Sequence, residues 1–365
     1  MIFKWRANNE NQCSILIIET NRCGKFFDEF SLGKSYRVRA PWEEGVVYVN
    51  IEIIKHFIYF LFKKYSFSRR MLMSAWVYAI SKTTKADKIV LFYLSSKPIF
   101  STVAQLNHNI SIYCIYPYLV TDNKNISIHK NIFHCVHDGT DVKRLINRNT
   151  NQENIVITGS PYLSLYKRSL SEKYISKKYD ICLISQVVEE LLKGSKSQYH
   201  QNVDKAFRKL LETLNSLYKE YSFKGSLCIA LRLSSSKEII EKEKNYFLSI
   251  LTCIKVNFIE NNPELYSSYH AMEQSSIGLN LNSTVAYNMR YIGVESIFAI
   301  DENIEYGPLN KDIQYYFSNG SSKDLLDILK KISSKKISIS PDLSDYYQKN
   351  KCNAIENIST LLNKD

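Results

Sequence analysis

Ser276-Ile277-Gly278-Leu279-Asn280-Leu281-Asn282-Ser283-Thr284-Val285-Ala286-Tyr287-Asn288-Met289-Arg290-Tyr291-Ile292-Gly293-Val294-Glu295-Ser296-Ile297 reads as strand, turn, helix, turn, strand. The run 276–281 is short enough for a buried strand, a helix follows over 284–292, Gly293 punctuates its end, and a second strand covers 296–300. A strand that ends where a helix begins offers unpaired N–H groups and the positive end of the helix dipole. A phosphate oxygen would be bound there, with the Ser283 and Thr284 hydroxyls as further donors. Simple capping of the helix by Asn282 or Ser283 fits the same residues, and the local pattern does not choose between the two.

The alternation continues on both sides. Towards the N-terminus of this half lie a strand at 180–184, a helix at 202–221 with Val203, Phe207, Leu210, Leu211, Leu214 and Leu217 on one face, a strand at 226–232, a helix at 237–252 and a strand at 256–260. Asn262 reads as an N-cap with Pro263 at the first helical position of a helix reaching Gln274, and a last helix covers 323–333. The first half carries strands at 14–19, 46–50, 89–93, 111–115, 133–137 and 154–158, with helices at 51–67, 68–85, after Pro98 and at 141–149. Strands alternating with helices predict parallel βαβ units. Residues 161–178 lack a sustained period and cluster charge, so the connection between two units is placed there. The expected architecture is α/β with two Rossmann-like domains: an N-terminal one over 1–165, a linker over 166–178, a C-terminal one over 179–341, and a final segment over 342–365 packing back on the first. The ligand would lie in a cleft between the two, at the carboxyl ends of the strands.

Composition narrows the function. A chain of 365 residues exceeds one ordinary core, and 45% hydrophobic against 23% charged residues describes a soluble globular protein. None of the 11 glycines forms a dinucleotide fingerprint or a P-loop; at Gly33-Lys34-Ser35, Asp28 stands where the first P-loop glycine belongs and Tyr36 to Arg39 reads as a strand. The eight cysteines form no C-x-x-C pair and suit a reducing cytoplasm. The N-terminus has no apolar signal core, and no stretch of about 18 apolar residues is present to span a bilayer. The +12 formal charge predicts attraction to polyanions, yet no RNP, helix-turn-helix or zinc-finger signature supports specific nucleic-acid binding. The seven histidines lack zinc-ligand spacing and no D-x-D pair occurs, so neither a metal nor a bound cofactor is expected.

The Ser-Thr segment resembles the strand, Ser-Thr, helix, Gly, strand element in the C-terminal domain of GT-B bacterial glycosyltransferases of capsule and lipopolysaccharide synthesis. Asn154 to Pro161, ending Gly159-Ser160-Pro161, is similar to the strand end that closes their N-terminal domain, and the order from Ala86-Asp87-Lys88-Ile89-Val90 to Ile112-Tyr113-Cys114-Ile115 agrees. A distant likeness extends to bacterial sialyltransferases and related nonulosonic-acid and Kdo transferases. The resemblance implies a nucleotide-sugar donor held by Asn282, Ser283, Thr284, Asn288, Arg232 and Glu260, and a glycan or lipid-linked saccharide acceptor.

This chain departs from the pattern in two places. Asn288 stands where many relatives carry a glutamate four residues after the Thr, and Leu231-Arg232 replaces the sialyltransferase His-Pro. A missing carboxylate and an added guanidinium both suit an acidic donor, so a CMP-activated nonulosonic acid or Kdo is favoured over a UDP-sugar; for Arg232 a plain surface arginine is the competing reading. An inverting transfer needs a base near the acceptor hydroxyl. The carboxylate-plus-Gly motif of sialyltransferases is matched in part by His137-Asp138-Gly139, and by Glu43-Glu44-Gly45 as a substitute. Asp138 also suits an Asx turn or helix cap, and Glu43-Glu44 a solvated turn. A CDP-polyol phosphotransferase is the rival enzyme, with His108, His134 and His137 as its histidines. Finally, Lys55, Lys63, Lys64, Arg69 and Arg70 beside Phe57, Phe60 and Phe62 would let helix 51–67 rest on an anionic bilayer, against the reading of a core helix with one polar stripe, Glu52, Lys55, His56, Tyr59 and Lys63.

Overall fold

The apolar runs become strands wherever β-branched residues dominate. Ile15–Glu19 (β2), for example, buries four of its five residues. The computed structural model describes residues 2–5, 13–19, 24–30, 32, 34–40, 46–64, 68–92, 99–106, 109–117, 126, 128–169, 176–194, 197–233, 235–262, 266–301, 315–334 and 353–363. The chain divides into two units, residues 1–165 with 350–365, and residues 166–349.

In the first unit, β2 pairs with Ser35–Arg39 (β3) on one side and Lys88–Phe92 (β5) on the other, and Ser111–Ile115 (β6), Ile132–Val136 (β7) and Ile155–Ile157 (β8) follow in order. Every pairing in this six-stranded sheet is parallel. Ile2–Trp5 (β1) and Val46–Val49 (β4) form a separate parallel pair. Gly24–Asp28 (α1) sets Phe26 and Phe27 edge-on against Phe92, with centroids 4.9 and 5.1 Å away. Asn50 accepts the Ile53 amide at 2.7 Å and so opens Ile51–Lys64 (α2), which buries Ile53, Phe60 and Leu61. Ser68 caps Arg69–Thr84 (α3), whose centre from Ser74 to Ile80 is wholly buried. Ile99–Leu106 (α4) and Gly139–Ile146 (α5) complete the crossovers. At the other end of the chain, the helix Ala354–Leu362 belongs to this unit: the Ala354 amide donates to Ser164 Oγ (2.6 Å), Asn357 Nδ2 to the Thr158 carbonyl (2.9 Å), and Lys88 Nζ to the Leu362 carbonyl (2.9 Å).

The second unit has the strand order Val256–Ile259 (β11), Leu227–Ala230 (β10), Tyr179–Ile184 (β9), Ser275–Asn280 (β12), Glu295–Ile300 (β13), Tyr315–Ser318 (β14), again all parallel. In chain order this is 3-2-1-4-5-6, the doubly wound arrangement whose direction reverses between the first and fourth strands. Leu183 lies level with Ile229 and Leu279, and the helix Gln198–Glu220 lays Phe207, Leu210, Leu211, Leu214 and Leu217 on the sheet. Cys114, Cys135, Cys182 and Cys228 sit buried in strands as small hydrophobes, and burial pushes the Cys135 thiol up to about 12.

Ile2–Trp5, Gly24–Asp28 and Tyr315–Ser318 are elements the sequence reading did not place, and three expected segments differ from it. Pro161–Ser169, placed in the connection, is a helix, because Ser160 Oγ accepts the Leu163 amide and Leu163, Leu165 and Tyr166 are buried despite the irregular spacing. The helix expected from Asn262 begins at Ser267 instead. Asn262 exchanges hydrogen bonds with Ser267, and Tyr266 takes a left-handed conformation (φ 49°) that breaks any earlier start; Pro263 lies outside the described residues. The helix after Ser283 ends at Met289 and tightens to a 3-10 turn over Arg290–Ile292.

Candidate functional site

In the second unit the reversal of strand order falls between β9 and β12, and the carboxyl ends of those strands carry its candidate site. At the end of β12, Asn280 is fully buried. Its Oδ1 accepts the Ser283 amide (2.9 Å) and its Nδ2 donates to the Ile297 carbonyl on β13 (3.2 Å). One side chain thus fixes the turn Leu281-Asn282-Ser283 and ties it to the neighbouring strand. Ser283 is the N-cap of Thr284–Met289, its Oγ accepting the Ala286 amide at 3.4 Å. Ser296 on β13 donates to the Ala286 carbonyl (2.6 Å), which pins the helix in place. Asn282 is exposed and Thr284 partly so, at the head of the helix; Ser283 is buried.

The ends of β9 and β10 are joined by a residue the sequence reading passed over. Glu243, in the helix Lys237–Leu248, is fully buried and accepts three hydrogen bonds: from Ser185 Oγ (2.5 Å) after β9, and from the amides of Arg232 (3.0 Å) and Leu233 (2.9 Å) after β10. Burial pushes its carboxyl above the ordinary value of 4.5, and the hydrogen bonds offset this only in part. Ser185 also accepts the Val187 amide at 3.2 Å. The loops flanking the reversal point are thereby held by a carboxylate on one side and a carboxamide on the other. Glu243 had a signal in the sequence: Ile239, Glu243 and Phe247 fall at i, i+4 and i+8, a carboxylate in the middle of an apolar stripe, hidden by the charged neighbours Glu241, Lys242 and Lys244.

The other expected donor residues are dispersed. Asn288 is fully buried and donates to the Tyr269 hydroxyl (3.2 Å), a packing bond between two helices. Arg232 is exposed at the end of β10, two strands from β12, about 10 Å at ordinary strand spacing. Glu260 follows the edge strand β11 and pairs with Lys244 at 2.8 Å. The structure keeps Asn282, Ser283 and Thr284 at the turn, directs Asn288, one helical turn further on, to Tyr269, and leaves Arg232 and Glu260 apart from them.

The comparisons with known proteins can be set beside this geometry. No protein-family model matches the chain, and no curated protein matches it by sequence. Solved structures do match over nearly the whole length. The S. aureus MnaA–UDP co-structure aligns over 95% of this chain and 94% of its own, at 11% identity and a TM-score of 0.55. UDP-GlcNAc 2-epimerase from Neisseria meningitidis, bound to UDP-GlcNAc, aligns over 96% and 99%, at 13% identity and a TM-score of 0.52. The apo form of the lipopolysaccharide outer core galactosyltransferase WaaB aligns over 95% and 98%, at 12% identity and a TM-score of 0.53. The fold is GT-B. At such identities the likeness concerns the fold alone.

In the N-terminal unit of this GT-B chain, Asp138 is 3% exposed and caps the helix Gly139–Ile146, its Oδ1 accepting the amides of Thr140 (2.8 Å) and Asp141 (3.3 Å). Beside it, His137 Nε2 donates to the Tyr116 carbonyl (2.8 Å) and His134 Nδ1 bonds the Tyr116 hydroxyl (3.0 Å), both rings buried. Such packed histidines lend no support to the polyol phosphotransferase reading. Glu43, Glu44 and His108 lie outside the described residues. Among the described residues no cluster of three or more His, Cys, Asp or Glu could hold a metal ion.

Proposed function

We propose that this protein is a GT-B enzyme of nucleotide-sugar chemistry that transfers a sugar from a UDP-sugar onto a glycan or lipid-linked acceptor. The observation that carries the reading is the turn at Asn282-Ser283-Thr284, set by Asn280 at the reversal point of a 3-2-1-4-5-6 sheet, with Asn282 exposed and Thr284 half-buried at the head of a helix. In a transfer, the bond between the sugar C1 and the phosphate oxygen breaks, the electron pair leaves on the diphosphate, and the acceptor oxygen takes its place as its proton goes to a base. Donors already fixed where the diphosphate charge develops lower that barrier. The neighbours handle UDP and UDP-GlcNAc, or transfer galactose, and this supports uridine over the cytidine donor favoured by the sequence. The acidic-donor argument also loses one of its two legs, since Asn288 is committed to Tyr269.

Thermal unfolding in the presence of UDP, CDP, CMP and GDP tests the donor. UDP is expected to raise the midpoint most, because a ligand at 100 times its dissociation constant adds about 2.7 kcal/mol. A shift with CMP at concentrations where UDP does nothing restores the cytidine reading.

A second reading, epimerisation of a UDP-sugar, is favoured by the number of epimerases among the neighbours. Incubation with UDP-GlcNAc and no acceptor separates the two, since an epimerase changes the free nucleotide sugar and a transferase returns it unchanged. For the base, Asp138 is proposed with a test built on its cap. Asparagine caps a helix as well as aspartate, so Asp138→Asn keeps the fold. Turnover reduced about 100-fold or more at unchanged stability assigns it the proton, whereas parental turnover leaves it the cap alone.

A further inference from the structure

The helix α2 turns a second apolar arc outward. Of Phe57, Phe60 and Phe62, read from the sequence as lying beside a basic edge on the membrane side, the first two go the other way: Phe60 is fully buried and Phe57 packs on the core. Beside Tyr59, which stacks on Tyr78 in the polar stripe, the exposed large apolar side chains are Ile51 (60%), Ile54 (40%), Ile58 (45%) and Phe62 (69%). At 3.6 residues per turn these four fall within about 80° of arc, with Ile51, Ile58 and Phe62 inside about 40°. The polar stripe foreseen from the sequence does exist, but it lies beside this arc instead of filling the whole solvent face.

Charge flanks the stripe on one side, with one sign in excess. Lys55, next to Phe62 on the wheel, is 71% exposed, Lys63 is exposed, and Lys64 closes the helix. Glu52 is the single acidic residue of the helix and lies within 3.9 Å of both Lys55 and His56. Three lysines against one glutamate, in a chain of formal charge +12, complement an anionic surface. Four side chains along one helix fall well short of the ~800 Å² per partner that a stable protein interface buries. Insertion into a lipid interface needs no such area from the protein, because each apolar side chain is buried on its own by acyl chains. No helix among the described residues is long and apolar enough to cross a membrane, so contact through this face would be peripheral.

We propose that the outward stripe Ile51, Ile54, Ile58 and Phe62, edged by Lys55 with Lys63 further round the helix, docks this protein on an anionic lipid bilayer. The inference is independent of the sugar chemistry. Flotation of the full chain with vesicles tests it, using phosphatidylcholine alone and phosphatidylcholine with phosphatidylglycerol. The expected result is co-flotation with the anionic vesicles, weakened by salt, and little with the neutral ones. Ile58→Ser with Phe62→Ser should reduce partitioning about tenfold or more while leaving the thermal midpoint in place, because both side chains already face solvent. Lys55→Glu with Lys63→Glu should reduce it selectively on the anionic vesicles. Failure of the parental protein to float, or equal flotation of the serine variant, overturns the proposal. So does a concentration-dependent dimer in solution that the serine variant abolishes, which would assign the stripe to a second copy of the chain.

Discussion

Replacing Glu243 by alanine is expected to cost about 3 kcal/mol of stability, because the partly buried amides of Arg232 and Leu233 lose their acceptor and each such loss costs roughly 1–3 kcal/mol. The Ser185 hydroxyl can turn to another partner, so it adds little. Chemical denaturation measures the loss, and a change below about 0.5 kcal/mol would show that the carboxylate does not hold the two loops. Glu243→Gln adds a pH readout. A carboxyl whose folded value is raised above 4.5 favours the folded state when protonated. Its contribution is therefore complete below 4.5 and is lost as pH rises through the raised value. The parental protein should lose stability relative to the glutamine variant over that interval and run parallel to it above. Identical pH profiles for the two would contradict the buried, raised carboxyl.

The double change Ser283→Ala with Thr284→Ala is expected to weaken UDP binding about 10-fold or more, since a hydrogen bond to a charged group is worth roughly 1.5–3 kcal/mol. The fold should lose only about 0.5–2 kcal/mol, the ordinary value of an N-cap; the Ser283 bond to Ala286 is long at 3.4 Å, which places the loss at the lower end. Asn280→Ala should reach the same affinity loss indirectly, by releasing the Ser283 amide and the turn it positions. Calorimetric titration of UDP into the folded variants reads both. Parental affinity in the double variant would remove the helix head from donor binding.

The two units were legible because the strands are short apolar runs and the helices between them have clear apolar faces, as in Gln198–Glu220. The turn at 282–284 was legible for a similar local reason: hydroxyl residues lie between a strand and a helix. What the sequence could not show were relations between distant positions. Glu243 meets Ser185 across 58 residues; its place between Ile239 and Phe247 marks it as the carboxylate that turns inward, but nothing local shows which loops it holds. Asn288 was assigned to the donor from its place four residues after Thr284, but rotation of that short helix, set by Ser296 and Tyr269, carries it into the packing. Helix α2 shows the same limit in reverse. Its polar stripe was correctly placed, while the choice of which apolar face meets the core depended on the sheet and on α3.

The helix Ala354–Leu362 completes the first unit with residues that follow the whole of the second. The order of synthesis then differs from the order of assembly. The unit 166–349 is continuous and can form as soon as it leaves the ribosome, whereas the earlier unit waits, with the seat for Ile355, Ile358 and Leu362 unfilled, until the helix 354–362 has emerged. A released chain truncated after residue 349 should therefore hold a protease-resistant second unit beside a first unit that is still open to cleavage.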